Sequence, residues 1–303
     1  MGDALIWFLQ NIALGVWNIL YAVTHPGSWM AWGSDPESLI RFIYYGASVE
    51  FFFAVFDVVL IVLVVGLFRR EFLWGAVRVL EGISNWAGRI FAWAGLLMVL
   101  QQIMVVFLQA IFRVAEITVS PVGIGITFPL AWYSEGLKFY NALVVALCLS
   151  YTFVQSGHVR VDLIYAGVSF RAKKIIDMVG SVLFMVPMAI LIWLYGWFFL
   201  WRSLVTPPMS ASNTLDALLL RARVVRWNVE TTGFSPSGFN AYFLFKVLLV
   251  ALAGLIFLQA VAFFYRSLLE YLEGEDAADR YLDRDILGDP AEEKQHEIHS
   301  GAS

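Results

Sequence analysis

The chain has 303 residues, of which 60% are hydrophobic and 15% are charged, and its net charge at pH 7 is −4. Soluble domains carry about 25% charged residues, so this composition excludes an ordinary soluble protein and predicts a membrane protein. The single cysteine, Cys148, excludes an intramolecular disulfide and any zinc or iron–sulfur site that needs several thiolates from this chain. The four histidines all lie outside the apolar runs, which argues against a haem-holding membrane anchor. We therefore expect no cofactor.

The first apolar run extends from Leu5 to Val23. It has neither the basic region nor the cleavage site of a signal peptide, so we expect it to belong to the mature chain. Asn11, Gly15, Asn18 and Ala22 recur at helical spacing and form a small, polar stripe. Such a stripe favours close packing against another membrane helix, although it also suits a helix that lies in the interface.

The second run, from Val49 to Phe68, is followed at once by Arg69 and Arg70, which is typical of a cytoplasmic stop. Glu50 and Asp57 are seven residues apart and share one face of this predicted helix. An intramembrane carboxylate is costly and usually functional or paired. Asp57 is therefore either a cation or proton site or, as we favour, a polar contact with another helix.

The next stretch, EFLWGAVRVLEGISNWAG, alternates charged and apolar residues and predicts an amphipathic connector helix at the cytoplasmic interface. Arg78 and Glu81 are three residues apart and are expected to pair on its wet face. Four clear runs follow, each long enough to span a bilayer: Ala87 to Phe112, Trp132 to Val154, Ile175 to Leu200, and Ala241 to Phe264. The prediction is an all-α integral membrane protein with about six transmembrane helices.

Polar residues in the later runs have structural interpretations. Glu135 and Lys138 are three residues apart at a span entrance and can pair, and Lys246 lies just inside another entrance, where its ammonium can extend outward. Three glutamines are expected to form hydrogen bonds between helices: Gln101, Gln102 and Gln259.

Basic residues near the ends of the runs predict the orientation, because short cytoplasmic connections carry an excess of lysine and arginine. The expected cytoplasmic set is Arg69, Arg70, Arg78, Arg89, Arg160, Arg171, Lys173 and Lys174. Six spans then place both termini in the cytoplasm. The connection from Ser203 to Asn240 lies on the opposite side, and a loop of this length is often functional or mobile.

From Arg266 onward the chain has 11 acidic and 4 basic residues, so the acidic excess lies at its C-terminal end. This composition predicts a solvated cytoplasmic tail that is partly disordered or helical.

Between the runs that end at Val154 and begin at Ile175 lies HVRVDLIY, which contains His158, Arg160 and Asp162. The three alternate with other residues, so an extended chain presents them on one side. We hypothesise that they fix the two flanking helices to each other or to a partner subunit. The alternative is a solvated turn.

This block, placed between two spans, resembles the small permease subunit of tripartite ATP-independent periplasmic (TRAP) transporters, in the mannitol and chloroaromatic branch. The preceding helix, LAWYSEGLKFYNALVVALCLSYTFVQ, is similar to that family's second helix, with Glu135 at its entrance. The following stretch, DMVGSVLFMVPMAILIWLYGWFFLWRS, resembles the third helix, and GFNAYFLFKVLLVALAGLIFLQAVAFF resembles the fourth, with Lys246 in place. The similarity covers roughly Ala87 to Tyr271.

The resemblance implies three parts: an N-terminal extension at 1–86, a four-helix core at 87–271, and an acidic cytoplasmic tail at 272–303. Similar subunits brace a large sodium-coupled permease subunit and contribute to docking of a periplasmic solute-binding protein, during uptake of an organic acid or related solute across the bacterial inner membrane. The implied partners are the large TRAP permease subunit, the solute-binding protein and membrane lipids. No catalytic step, cofactor or nucleic acid is implied.

Two other functions stay open. The chain could be an independent carrier or channel that uses Glu50 and Asp57, or a structural subunit of another membrane complex. The residues before position 87, which exceed the usual four-helix subunit, are the best argument for the latter.

Overall fold

The computed structural model describes residues 2–119, 126–155, 167–231, 233, 238–278 and 280–283. Within these residues the chain is mostly helical, as the composition predicts. Two short two-stranded ribbons, which the sequence patterns did not indicate, interrupt the helices.

The helices and strands follow one another in this order: α1 (Gly2–Thr24), α2 (Gly27–Met30), α3 (Pro36–Tyr45), α4 (Val49–Phe68), α5 (Arg70–Val106), β1 (Glu116–Val119), β2 (Ile126–Pro129), α6 (Leu130–Val154), α7 (Phe170–Gly180), α8 (Val186–Arg202), β3 (Val205–Thr206), α9 (Leu215–Leu219), β4 (Arg226–Trp227) and α10 (Phe243–Glu273). A π-helical turn extends α5 over Phe107–Ile111, and another, Ser181–Met185, joins α7 to α8. Both ribbons are antiparallel, with Glu116 opposite Pro129 and Val205 opposite Trp227.

Among the described residues, six helices are long and apolar enough to cross a membrane: Gly2–Thr24, Val49–Phe68, Arg70–Ile111, Leu130–Val154, Phe170–Arg202 and Phe243–Glu273. Each contains all or nearly all of one predicted apolar run. The prediction of a multi-pass α-helical membrane protein is confirmed at this level.

The predicted connector after Arg70 is not a separate helix. Residues 71–88 form the first half of α5, which continues without interruption into the following apolar run. The reason is local, because no proline lies between Arg70 and Val106 to end the helix. The boundary expected at residue 86, between an extension and a core, therefore falls inside one helix.

Helix α10 lies at the centre of the bundle. It packs against α5, α6, α7 and α8, and its contact faces carry small buried residues such as Ala253, Ala260 and Ala262. Small side chains let helix backbones approach closely, which is the usual way in which membrane helices pack. A Cβ atom built at Gly196 of α8 would lie 3.4 Å from Leu249 and 3.5 Å from Val250, so α8 also approaches α10 closely at this position.

A layer rich in aromatic residues covers one end of the bundle. Ile40 and Ile43 of α3 are fully buried against α8 and against the connection that follows it. The indoles of Trp193 and Trp197 donate hydrogen bonds of 2.8 Å to the carbonyls of Gly46 and Ile43. The described part of the 203–240 connection is thus folded against α3 and α8 in one shared hydrophobic core.

The packing of α5 on α6 predicts opposite effects for two glycines of the same helix. A Cβ atom at Gly88 would lie 2.2 Å from Cβ of Tyr151, near the rigid base of that side chain, whereas a Cβ at Gly82 would meet nothing within 4 Å. We expect Gly88→Ala to cost about 1–3 kcal/mol through overpacking, partly offset by its better helix propensity. Gly82→Ala should instead add about 0.5–1 kcal/mol. Thermal unfolding in detergent measures both, and a stabilised Gly88→Ala variant would contradict the close approach of α5 and α6 at Tyr151.

Candidate functional site

Four charged side chains join α5, α7 and α10, and we call them the charge network: the buried Glu81, Arg266 and Glu270, and Lys174, whose side chain is 18% exposed. The Arg266 guanidinium donates two hydrogen bonds of 2.6 Å to the two carboxylate oxygens of Glu81. The Lys174 ammonium lies 2.5 Å from Oε2 of Glu270, as an ion pair without hydrogen-bond geometry. Arg266 also lies 3.8 Å from the Glu270 carboxylate.

The network contains two acidic and two basic groups, so their formal charges cancel. Glu81 is 5% exposed, Arg266 7% and Glu270 2%. A bidentate arginine–carboxylate pair is the geometry that best compensates two charges for the loss of water. The arrangement is suited to holding helices together. The prediction that Glu81 pairs with Arg78 on a wet face is wrong. Glu81 is buried, and its partner is Arg266.

Helical spacing explains why these groups meet. Trp74, Glu81 and Ser84 share one face of α5, and Gln259, Arg266 and Glu270 follow one another along α10. Ser84 Oγ donates a hydrogen bond of 3.0 Å to Oε1 of Gln259 inside the bundle. The interhelical role predicted for Gln259 is confirmed.

Residues Arg280–Asp283, which we call the tail clamp, fold back from α10 onto α5 and α6. The Arg89 guanidinium donates to both carboxylate oxygens of Asp283 at 2.9 Å. The side-chain amides of Asn85 and Gln155 donate to the Asp283 carbonyl at 2.9 and 3.0 Å. The beginning of the predicted solvated tail is therefore docked on the helices.

The tail clamp is also connected to the charge network. Arg266 Nη1 donates a hydrogen bond of 2.9 Å to the Arg280 carbonyl. The Tyr281 ring meets Trp74 edge-on, with centroids 5.8 Å apart, and Arg78 lies 4.8 Å from the ring centroid. The hydrogen bond from the Arg280 guanidinium to the Tyr281 hydroxyl raises the pKa of Arg280 above its ordinary value.

Asp57 lies in α4 where α1 packs against it. It is 1% exposed, and neither carboxylate oxygen has a hydrogen-bond partner among the described residues. A Cβ atom built at Gly15 would lie 2.1 Å from Oδ2, so a larger residue there would force the Asp57 carboxyl to move. Gly15 of the predicted stripe thus faces α4. The polar contact expected of Asp57 is absent from the described part of the chain, and Glu50 is exposed at the start of α4.

The remaining predicted polar residues lie at the opposite end of the bundle. Glu135 Oε2 accepts a hydrogen bond of 3.0 Å from the backbone N–H of Phe239, just before α10. Lys246 Nζ lies 2.6 Å from the Glu230 carboxylate and 4.4 Å from the Phe199 ring centroid. Lys138 is three residues after Glu135 in α6. These contacts anchor the connection before α10 to the helices that flank it.

Gln101 has the interhelical role predicted for it, since its amide donates a hydrogen bond of 2.7 Å to the Tyr133 carbonyl. Residues 156–166, and with them His158, Arg160 and Asp162, lie outside the described residues. The hypothesis about the HVRVD block therefore stays a prediction.

Sequence reasoning missed the pair of Glu81 with Arg266. Their positions are 185 residues apart, so no local pattern joins them. One signal was present: Trp74, Glu81 and Ser84 lie on the same helical face as the apolar Leu73 and Val77, which suggests that this face is covered.

Within the described ranges no group of three or more His, Cys, Asp and Glu side chains is arranged to hold a metal ion. No family model, curated protein or solved structure matches the chain.

The Glu81–Arg266 pair predicts strong non-additivity. Arg266→Met leaves Glu81 buried without its guanidinium partner, which should cost about 3–5 kcal/mol, and Glu81→Leu should have a similar cost. The double variant removes both charges and should regain most of that loss, because apolar residues often replace a buried pair without net cost.

A double-mutant cycle on unfolding in detergent measures this coupling. The pair Arg89 and Asp283, which is far more exposed, is the matched control and should couple by less than about 1 kcal/mol. If the losses in unfolding free energy at Glu81 and Arg266 were simply additive, the pair would not stabilise the bundle as proposed.

Proposed function

We propose that the chain is a non-catalytic membrane subunit that braces a larger transport subunit. The sequence resemblance suggests which complex it belongs to. The chain is the small permease subunit of a TRAP transporter in the bacterial inner membrane, with both termini in the cytoplasm. It braces the large sodium-coupled permease subunit and contributes to docking of a periplasmic solute-binding protein during uptake of an organic acid or related solute.

The observation that carries the proposal is the pairing of four charges between helices, three of which are buried. Glu81, Arg266, Glu270 and Lys174 neutralise one another where α5, α7 and α10 meet. Groups that move an ion or solute must exchange their partners, whereas groups that hold helices together keep theirs. A self-neutralised network supports a bracing role better than a transport pathway.

A second observation concerns the segment that resembles the small permease subunit. Its four helices, α5, α6, the continuous α7–α8 helix and α10, pack on one another as a bundle. The two polar residues of the resemblance, Glu135 and Lys246, both hold the connection before α10 at the same end. This arrangement is compatible with a structural part for both residues.

The surface of α5 offers a contact for a partner. Trp86 and Trp93 are seven residues apart on one face, and each is 65% exposed. Tryptophan is enriched among the residues that dominate protein interfaces. We therefore place the partner contact along this face of α5.

The test is recovery of partners with the tagged full chain from its native membrane in mild detergent, followed by mass spectrometry. We expect a larger multi-span permease in near-equal amount. The double variant Trp86→Ala/Trp93→Ala should reduce its recovery at least tenfold, because interface anchors cost about 2 kcal/mol or more when truncated.

The matched control is Phe184→Ala/Tyr195→Ala, which removes two similarly exposed aromatic side chains from the α7–α8 helix. It should leave recovery unchanged. Recovery of the chain without a permease would overturn the bracing proposal, and equal loss in both double variants would overturn the assignment to α5.

A second candidate is an independent carrier, and the observation that favours it is the buried Asp57 carboxyl without a partner among the described residues. Proteoliposomes containing only the purified chain decide between the two. The bracing proposal predicts sodium and proton fluxes no greater than those of protein-free liposomes. A flux that Asp57→Asn abolishes and that the exposed control Glu50→Gln retains would establish the carrier instead.

A further inference from the structure

An apolar groove of about 680 Å³ lies between α1, α4, the first half of α5 and α10. Its walls include Val58 and Val62 of α4, Gly75 and Val79 of α5, and Phe257 of α10. Val79 is 64% exposed and Phe72, at one end of the groove, is 47% exposed. The groove is thus open to the surroundings along the helix surface.

The walls of the groove offer almost nothing to a polar ligand. Tyr265 is the one lining residue with a polar side chain, and its hydroxyl donates a hydrogen bond of 2.7 Å to the Val59 carbonyl. The other lining residues carry hydrocarbon side chains or none. The occupant that fits such a surface is itself a hydrocarbon.

Two arginines lie beyond one end of the groove. Arg69 and Arg70 form the sharp junction between α4 and α5, and both are exposed. In the described part of the chain, neither guanidinium has a carboxylate partner. Arg69 is three residues before Phe72 and seven after Val62, so it lies about 5 and 10 Å along the helices from those two groove residues.

The length of the groove fits one leaflet of a bilayer. On α4 it extends from Ala54 to Val62, which is about 12 Å of helix. One leaflet contributes half of a hydrocarbon core about 30 Å thick. A partner helix that crossed the membrane would continue through both leaflets, whereas this groove ends within about one.

We infer that the groove binds the acyl part of an anionic phospholipid whose phosphate is held by Arg69 and Arg70. The apolar walls select hydrocarbon, and the two guanidinium groups select a negatively charged headgroup. The inference stands independently of the proposed function, since a bracing subunit and a carrier could both hold such a lipid.

Native mass spectrometry of the purified full chain in detergent tests the inference. The chain is incubated with equal amounts of palmitoyl-oleoyl phosphatidylglycerol and palmitoyl-oleoyl phosphatidylcholine, and the two lipid-bound masses are compared. We expect the phosphatidylglycerol-bound form to be about tenfold more abundant.

The arginine variant tests the headgroup site. Arg69→Gln/Arg70→Gln should reduce phosphatidylglycerol binding to the level of phosphatidylcholine. Its matched control, Arg221→Gln/Arg223→Gln, removes two exposed charges from the 203–240 connection and should keep the preference.

The glycine variant tests the groove. A Cβ atom built at Gly75 would meet nothing within 4 Å, so a leucine there has room to extend into the groove. We expect Gly75→Leu to reduce binding of both lipids about tenfold. Gly82→Leu is the matched control, because Gly82 also has open space around it and does not line the groove.

Three results would overturn the inference. They are the absence of a phosphatidylglycerol preference in the unaltered chain, survival of that preference in Arg69→Gln/Arg70→Gln, and undiminished lipid binding in Gly75→Leu. A Gly75→Leu chain that keeps its lipids and loses a co-purifying membrane protein would assign the groove to a partner helix instead.

Discussion

The bidentate pair of Glu81 and Arg266 is the contact on which the arrangement of this bundle depends. It joins the first half of α5, which precedes the long apolar run of that helix, to the last turns of α10. The same guanidinium holds the Arg280 carbonyl and so positions the tail clamp. Because a buried charge is costly without a partner, this pair joins α5 and α10 in one packed unit although its two residues are 185 positions apart.

The two ends of the bundle are held by different chemistry. At one end the charge network and the tail clamp connect α5, α6, α7 and α10 through polar contacts. At the other end aromatic rings and indole hydrogen bonds fix α3 and the 203–240 connection to α8. Between them the helices pack through small residues. Asp57 departs from this pattern, since its carboxyl is buried against a glycine of α1 and has no partner among the described residues.

Hydropathy predicted the spans well because a bilayer demands about 20 apolar residues, whatever the tertiary contacts. The stripe around Gly15 was readable for a similar reason, since small residues mark helix contacts. No helix was predicted over Pro36–Tyr45, although the structure shows familiar start signals there, since Asp35 caps the helix and Pro36 occupies its first turn. The partner of Glu81 was not readable. Arg78 is the nearest cation in sequence, and only the packing of α10 decides that Arg266 is used.

The continuity of α5 has a mechanical consequence. From Glu81 to Ile111 the helix is about 45 Å long, and it contains no proline at which it could bend independently. A helix of this length that is held near one end by the charge network would carry a change of tilt along its whole length. A tilt of about 5° at that end would displace the other end of the helix by about 4 Å.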